Sequence, residues 1–193
     1  SVFRALDEIA PRYATDGFVR QPEGTGTLNA CPHGHFPSGD GKFLAIACTT
    51  DKMFERLTIA MGRKDLLEKF GEQATRLENR VEVLAEVEKW TRSFSRETLI
   101  EVCNNNGVPA GSINSIADIF EDEHFKARET IKHVSVPGVG DVAVPNVFPT
   151  LSETPGTINN LGPGLGDHNE DLYREELGLS DSELSTLKES GVI

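Results

Sequence analysis

Behind the turn signal Asp40-Gly41 stands a continuous apolar run, Phe43-Leu44-Ala45-Ile46-Ala47, and beyond it the apolar residues fall into steps of three and four. The run reads as a strand, and the stepped residues read as amphipathic helices. Met53, Phe54, Leu57, Ala60 and Met61 form one stripe, with Gly62 placed to end it. Val83, Val87, Trp90 and Phe94 form a second, and Leu99, Ile100 and Cys103 a third before the stop Asn104-Asn105-Asn106-Gly107. Ile113, Ile116, Ile119 and Phe120 supply another short one. This change of period confines residues 31–130 to a small, helix-rich α+β domain, with Trp90 and the Met/Phe stripe in its core.

The flanks read differently. Val2, Phe3, Leu6 and Ile9 already show helical spacing, so residues 1–13 are expected to be the tail of a helix stopped near Pro11. A chain that starts at Ser1 partway along such a helix is expected to be a fragment. Residues 14–30 are polar, Gly-rich and without period, the character of a linker. Val134 and Val136, Pro137-Gly138-Val139-Gly140, then Val142 and Val144 predict a hairpin at 131–145. Residues 146–166 return to irregular chain, which completes a hairpin and return segment over 131–166. Two helices are expected in 167–193. Asp167 with Glu170, and Ser180 with Glu183, each match a capping box, and Gly178 and Gly191 fall where helices stop.

The 193 residues carry a formal charge of −12, with no basic run longer than Arg63-Lys64. Nucleic-acid binding needs a basic face that displaces counterions from phosphates, so it is excluded as a function class. No apolar run approaches the roughly 20 residues that span a bilayer, and no charged start precedes an apolar stretch as in a secretory signal. Neither membrane insertion nor export is expected. Cys31, Cys48 and Cys103 are odd in number and lack C-x-x-C spacing, which argues against a disulfide framework or a structural zinc site and for a reducing cytoplasm.

Several stretches, taken in order, resemble the family III CoA-transferases. They are Pro32-His33-Gly34 running into Ser38-Gly39-Asp40-Gly41-Lys42-Phe43-Leu44-Ala45-Ile46, then Phe54-Glu55-Arg56-Leu57 with Met61-Gly62-Arg63. Asn106-Gly107-Val108-Pro109-Ala110-Gly111 and His124-Phe125-Lys126-Ala127-Arg128 follow. Leu165-Gly166-Asp167-His168 and the ending from Leu177-Gly178-Leu179-Ser180 to Gly191-Val192-Ile193 complete the series. Each motif is weak alone, and their shared order carries the resemblance. It implies an enzyme about twice this length, in which both ends of the polypeptide build a Rossmann-like α/β large domain around a small inserted α+β domain. Two subunits interlock as a homodimer. Residues 1–13 and the C-terminal helices would then belong to the large domain, and 31–130 to the small one.

The resemblance further implies a parent enzyme that moves coenzyme A between carboxylic acids through an aspartyl anhydride and an aspartyl thioester. It takes a CoA thioester as substrate and holds no permanent cofactor. The reactive Asp would lie on the N-terminal half, so this chain carries no catalytic nucleophile and is expected to be inactive alone. The segment Asn29 to His35 matches a loop that covers the active site, which puts His33, Gly34 and His35 forward as substrate or CoA contacts. It is not Gly-rich here, which counts against oxalate and formate as substrates. The amide of Gly34 is a candidate oxyanion donor. His33-x-His35 without a third ligand is no metal motif. Arg128 is a candidate partner for a carboxylate or a CoA phosphate, against a simpler role in a linker salt bridge. In the racemase branch an acidic residue stands where Thr50 stands here, and a Thr hydroxyl does not shuttle protons near neutral pH. A register shifted by one would bring in Asp51 instead, while the simpler reading makes Thr50 a helix cap. Asp167-His168 reads as a helix start rather than half of a triad. An acyl-CoA racemase or isomerase, or a non-catalytic acyl-CoA binding module, are the alternative functions.

Overall fold

The computed structural model describes residues 8–22 and 24–193. The expected helical stripe at Val2, Phe3 and Leu6 lies outside the described residues. The chain divides into two compact units, Ser1–Asn114 and Ser115–Ile193.

In the first unit, β1 (His33–Pro37), β2 (Phe43–Ala47) and β3 (Ala110–Ile113) form an antiparallel sheet in the order β1-β2-β3. The apolar run occupies the central strand, as a fully partnered strand requires. Its Leu44 and Ile46 are buried against Phe54 and Leu57 of α2 (Asp51–Ala60). The same cluster takes in Leu66 and Phe70 of α3 (Lys64–Phe70), Val83 and Val87 of α5 (Arg80–Thr91), and Leu99 and Cys103 of α6 (Arg96–Asn105). Burying each such side chain contributes about 1.5–3 kcal/mol. The core therefore falls on the stripes that periodicity marks. The short α4 (Gln73–Glu78) joins α3 to α5 and carries the buried Arg76.

Local signals act as expected at several ends. Thr50 caps α2, its hydroxyl accepting the Met53 N–H at 3.3 Å. Gly62, at φ 67°, follows that helix, and Gly107, at φ 64°, follows α6. Other expectations are corrected. The helix α1 (Ile9–Asp16) does not stop at Pro11 but runs on to a left-handed Gly17. Pro11 sits in its first turn, where the missing N–H had no partner to lose. Phe94 lies beyond the end of α5 and meets the edge of Trp90, with ring centroids 6.4 Å apart. Ile113 closes β3 rather than opening a helix.

The second unit contains α7 (Ile116–Glu121), α8 (Glu123–Ala127), the hairpin β4 (Ile131–Val136) and β5 (Gly140–Pro145), a π-helical segment Asp171–Glu176, and α9 (Asp181–Glu189). The sequence counts α7 and α8 within 31–130, yet they belong to this unit. The hairpin has the alternation expected of it, with Val134 opposite Val142 and Val136 opposite Gly140. Ser180 and Glu183 form a full capping box on α9. Asp167 does not cap a helix; its carboxylate takes the Gly164 N–H at 2.6 Å, closing a Gly-rich turn that competes for the same oxygen. The mixture of helices with small antiparallel sheets is the α+β class that the periodicities predict.

Candidate substrate cleft beside strand β1

His33 and His35 lie on β1, not on a loop, because β2 offers them a strand to pair with. His-Gly-His-Phe-Pro has no alternation of its own to announce this. The Cys48 N–H donates to Pro32 O at 2.9 Å and the Ser38 N–H to Lys42 O at 2.9 Å. Antiparallel ladders alternate, so the intervening Gly34 and Phe36 also form hydrogen-bonded pairs, with Ile46 and Leu44. The backbone groups of His33 and His35 then face the outer edge of the sheet. Side chains alternate as well: Phe36 enters the core, while His33 and His35 share the opposite face.

The outer edge is covered by residues 24–30. Thr25 Oγ1 accepts the His35 N–H at 2.9 Å. Arg80, at the start of α5, donates from Nη1 to Thr27 O at 2.7 Å and from Nη2 to Leu28 O at 2.9 Å. Gln73 donates to Asn29 O. A segment without sequence periodicity is thereby fixed by side chains from two helices.

Between this segment, β1 and α5 lies a cleft of about 350 Å³, walled by His33, Gly34, His35, Thr25, Arg80 and Glu88. Gly34 contributes its lack of a side chain, since a Cβ there would stand 3.1 Å from Thr25 Oγ1. Its amide, committed to the ladder with Ile46, is not the oxyanion donor the sequence suggests. The Nδ1 atom of His33 is buried and has no hydrogen-bond partner. His35 is exposed. Glu88 is held by Arg92 at 2.7 Å. Thr25, Arg80 and Glu88 were not singled out from sequence. The signal was there in part: Arg80, Leu84 and Glu88 repeat every fourth residue, a stripe adjacent to Val83 and Val87.

Arg128 belongs to the second unit. It ends α8, its backbone N–H donating to His124 O at 3.0 Å, and its side chain is exposed with no ion pair among the described residues. Among the described residues no group of three or more His, Cys, Asp or Glu is arranged to hold a metal, and no helix is long and apolar enough to cross a membrane. The three cysteines are free and buried.

Comparison with known proteins gives these features a context. A family model described as CoA-transferase family III matches residues 1–169. Over 195 aligned residues the chain is 49% identical to the succinyl-CoA–L-malate CoA-transferase alpha subunit of Chloroflexus aurantiacus, covering 100% of this chain and 46% of that one. It is 42% identical to the beta subunit of the same name and organism, covering 100% of this chain and 49% of that one. The chain thus spans about half the length of the curated relatives it matches. A crystal structure of a CAIB/BAIF family protein from Brucella suis aligns with a TM-score of 0.73 and 28% identity, over 90% of this chain and 45% of that one. With 169 of its 193 residues matched by one family model, this chain belongs to CoA-transferase family III.

Proposed function

We propose that this chain is the C-terminal half of an enzyme that transfers coenzyme A from succinyl-CoA to a small hydroxy-dicarboxylic acid of the L-malate type. The observation that carries the reading is the 49% identity, across the whole of this chain, to a subunit named for that exchange. The half-length coverage of the same relative supports placing the reactive carboxylate on the polypeptide that precedes these residues.

In this reading an Asp carboxylate of the other half attacks the donor thioester, giving an acyl-aspartyl anhydride and the CoA thiolate. The thiolate attacks the aspartyl carbonyl, which releases the donor acid and leaves an aspartyl-CoA thioester. The acceptor carboxylate then displaces the thiolate, and the thiolate attacks the acceptor's acyl carbon to leave acyl-CoA and the free Asp. Each anhydride must be kept from water. His33, Gly34 and His35 border the acid, while Arg128 meets an anionic group of the substrates. The working form is an interlocked homodimer in the cytoplasm, a compartment that suits three unpaired cysteines. The engagement of Thr50 as a helix cap favours transfer over racemisation, and Asp51 is tied to Arg76 at 2.7 Å.

The full-length enzyme, given succinyl-CoA and L-malate, is expected to form malyl-CoA and free succinate in equal amounts, while residues 1–193 alone form none. Wash-out of an α-proton in deuterated water without CoA exchange would replace this reading with the racemase. Turnover by residues 1–193 alone would remove the premise that the nucleophile lies elsewhere.

A further inference from the structure

We infer that Gln73 and Arg76 are positioning residues of the transfer reaction: from α4 they hold the backbone of Asn29 and Cys31, and that grip sets where the His33–His35 wall stands and keeps water out of the cleft. The inference rests on the reading that His33, Gly34 and His35 border the acid, although the grip itself can be measured without turnover.

The chain enters β1 as an irregular segment, yet Ala30, Cys31 and Pro32 are buried. Buried carbonyls outside a helix or sheet need donors brought from elsewhere. Here α4 and the start of α5 supply them. Gln73 Nε2 donates to Asn29 O, and Arg76 Nε donates to Cys31 O at 2.7 Å. Arg80 donates to Thr27 O and Leu28 O. Gln73 and Arg76 stand three residues apart and so share one face of α4. Each of these bonds ends on main chain, so together they fix the path of the segment into β1.

The two grips differ in stiffness. Arg76 is fully buried, and its planar fork also serves Phe70 O, Gly71 O and Asp51. The guanidinium is thereby located from the end of α3 and the start of α2, and Cys31 is located from the guanidinium. Gln73 is half-buried at the first position of α4, so its amide can be removed without opening the core.

His33 follows Cys31 by two residues. Its Nδ1 has no hydrogen-bond partner among the described residues, so the backbone places the ring, not a tether on that nitrogen. A shift of residues 27–31 would therefore carry the wall with it. A misplacement of about 1 Å can cost about a hundredfold in rate. A loosened wall also admits water to the anhydride. Water then attacks the succinyl carbon and its bond to the aspartyl oxygen breaks. Succinate and the free Asp leave as carboxylates, and one of the two protons released goes to the CoA thiolate.

The test compares the full-length enzyme with Gln73→Ala, Arg76→Lys and a control, Ser95→Ala. The control removes the N-cap of α6, away from the cleft, at a cost of about 1 kcal/mol. Succinyl-CoA consumption is divided into malyl-CoA formed and CoA thiol released by water, and hydrogen exchange is followed over residues 27–35. In Gln73→Ala, transfer is expected to fall about ten- to a hundredfold while hydrolysis persists, so the ratio of hydrolysis to transfer rises at least about tenfold. Exchange over 27–35 should quicken in the same variant. Ser95→Ala should keep the wild-type ratio, because an unfolded fraction lowers both reactions alike. For the same reason the ratio remains readable in Arg76→Lys even where part of the protein is unfolded, and it should rise there too. A wild-type ratio in Gln73→Ala, or unchanged exchange over 27–35, would overturn the inference. If the wild-type enzyme moves no CoA to L-malate, the proposed reaction falls, and the exchange over 27–35 in Gln73→Ala alone decides the grip.

Discussion

Arg76 is fully buried, and its guanidinium is surrounded by acceptors. Nε donates to Cys31 O at 2.7 Å, Nη1 to Phe70 O at 3.0 Å and Gly71 O at 2.7 Å, and Nη2 to Asp51 at 2.7 Å. Its carbon centre lies 4.6 Å from the Phe54 ring centroid. Asp51 is 59% exposed, so most of what Arg76 contributes comes from the carbonyls it satisfies, not from the ion pair. Arg76→Leu is therefore expected to cost about 3–5 kcal/mol in denaturant unfolding, because buried carbonyls lose their donors. Asp51→Asn should cost no more than about 1 kcal/mol. Arg76→Lys should not restore stability, since one ammonium cannot reach acceptors arranged for a planar fork. At this same scale, burial pushes the Cys48 thiol up to about 12 and that of Cys103 to about 11, from an ordinary 9.0. Unfolded chains lose these protons first as pH rises, so the unfolded state binds fewer protons above pH 9. Stability should be unaffected by these thiols below pH 9 and fall between 9 and 12. Each thiol steepens the fall by up to about 1.4 kcal/mol per pH unit. Chemical denaturation across that range checks it, and Cys48→Ala should flatten the curve.

Among elements, the β1–β2 hairpin is tied to the turn between α5 and α6 at one glycine. The Gly39 N–H donates to Phe94 O at 2.7 Å, and a Cβ at Gly39 would stand 2.6 Å from Arg92 O. Backbone cannot yield as a flexible side chain does, so Gly39→Ala is expected to destabilise the first unit by about 1–3 kcal/mol, read as a lower urea midpoint with the m-value retained. Gly41→Ala, where nothing lies within 4 Å, separates this clash from the cost of its positive φ of 76°. The legibility of each element followed its chemistry. Central β2, α2, α6 and the β4–β5 hairpin were readable because burial imposes a period on their side chains. Strand β1 was not: in His33-Gly34-His35-Phe36-Pro37 only Phe36 supplies an apolar signal, and the partner strand decides the conformation. Ala110-Gly111-Ser112-Ile113 was hidden in the same way, as an edge strand with little to bury. Asp167 showed the limit of motif reading, since a nearby Gly164 N–H captured the carboxylate that spacing assigned to a cap. For the site, sequence found His33, Gly34 and His35 but not Thr25 or Arg80, whose proximity depends on the sheet edge and helix meeting in space.

At the scale of the whole molecule, burial is unevenly shared. Among the described residues the buried apolar side chains from Ala30 to Val108 belong to the first unit, and Leu184 alone to the second. Phe148, Leu165 and Leu177 are largely exposed. Hydrogen exchange of the 193-residue chain should therefore be slowest at β2, α2 and α6, and faster by orders of magnitude over residues 146–166, where elements with few buried contacts open locally. Equal protection in the two units would contradict this distribution. The Thr25 hydroxyl on the His35 amide has a consequence at this scale too. An open strand edge is a template on which another copy can build, and one side chain from an irregular segment blocks the rung where such growth would begin. Without that hydroxyl, the His35 amide would lose the partner that keeps it from pairing with another strand.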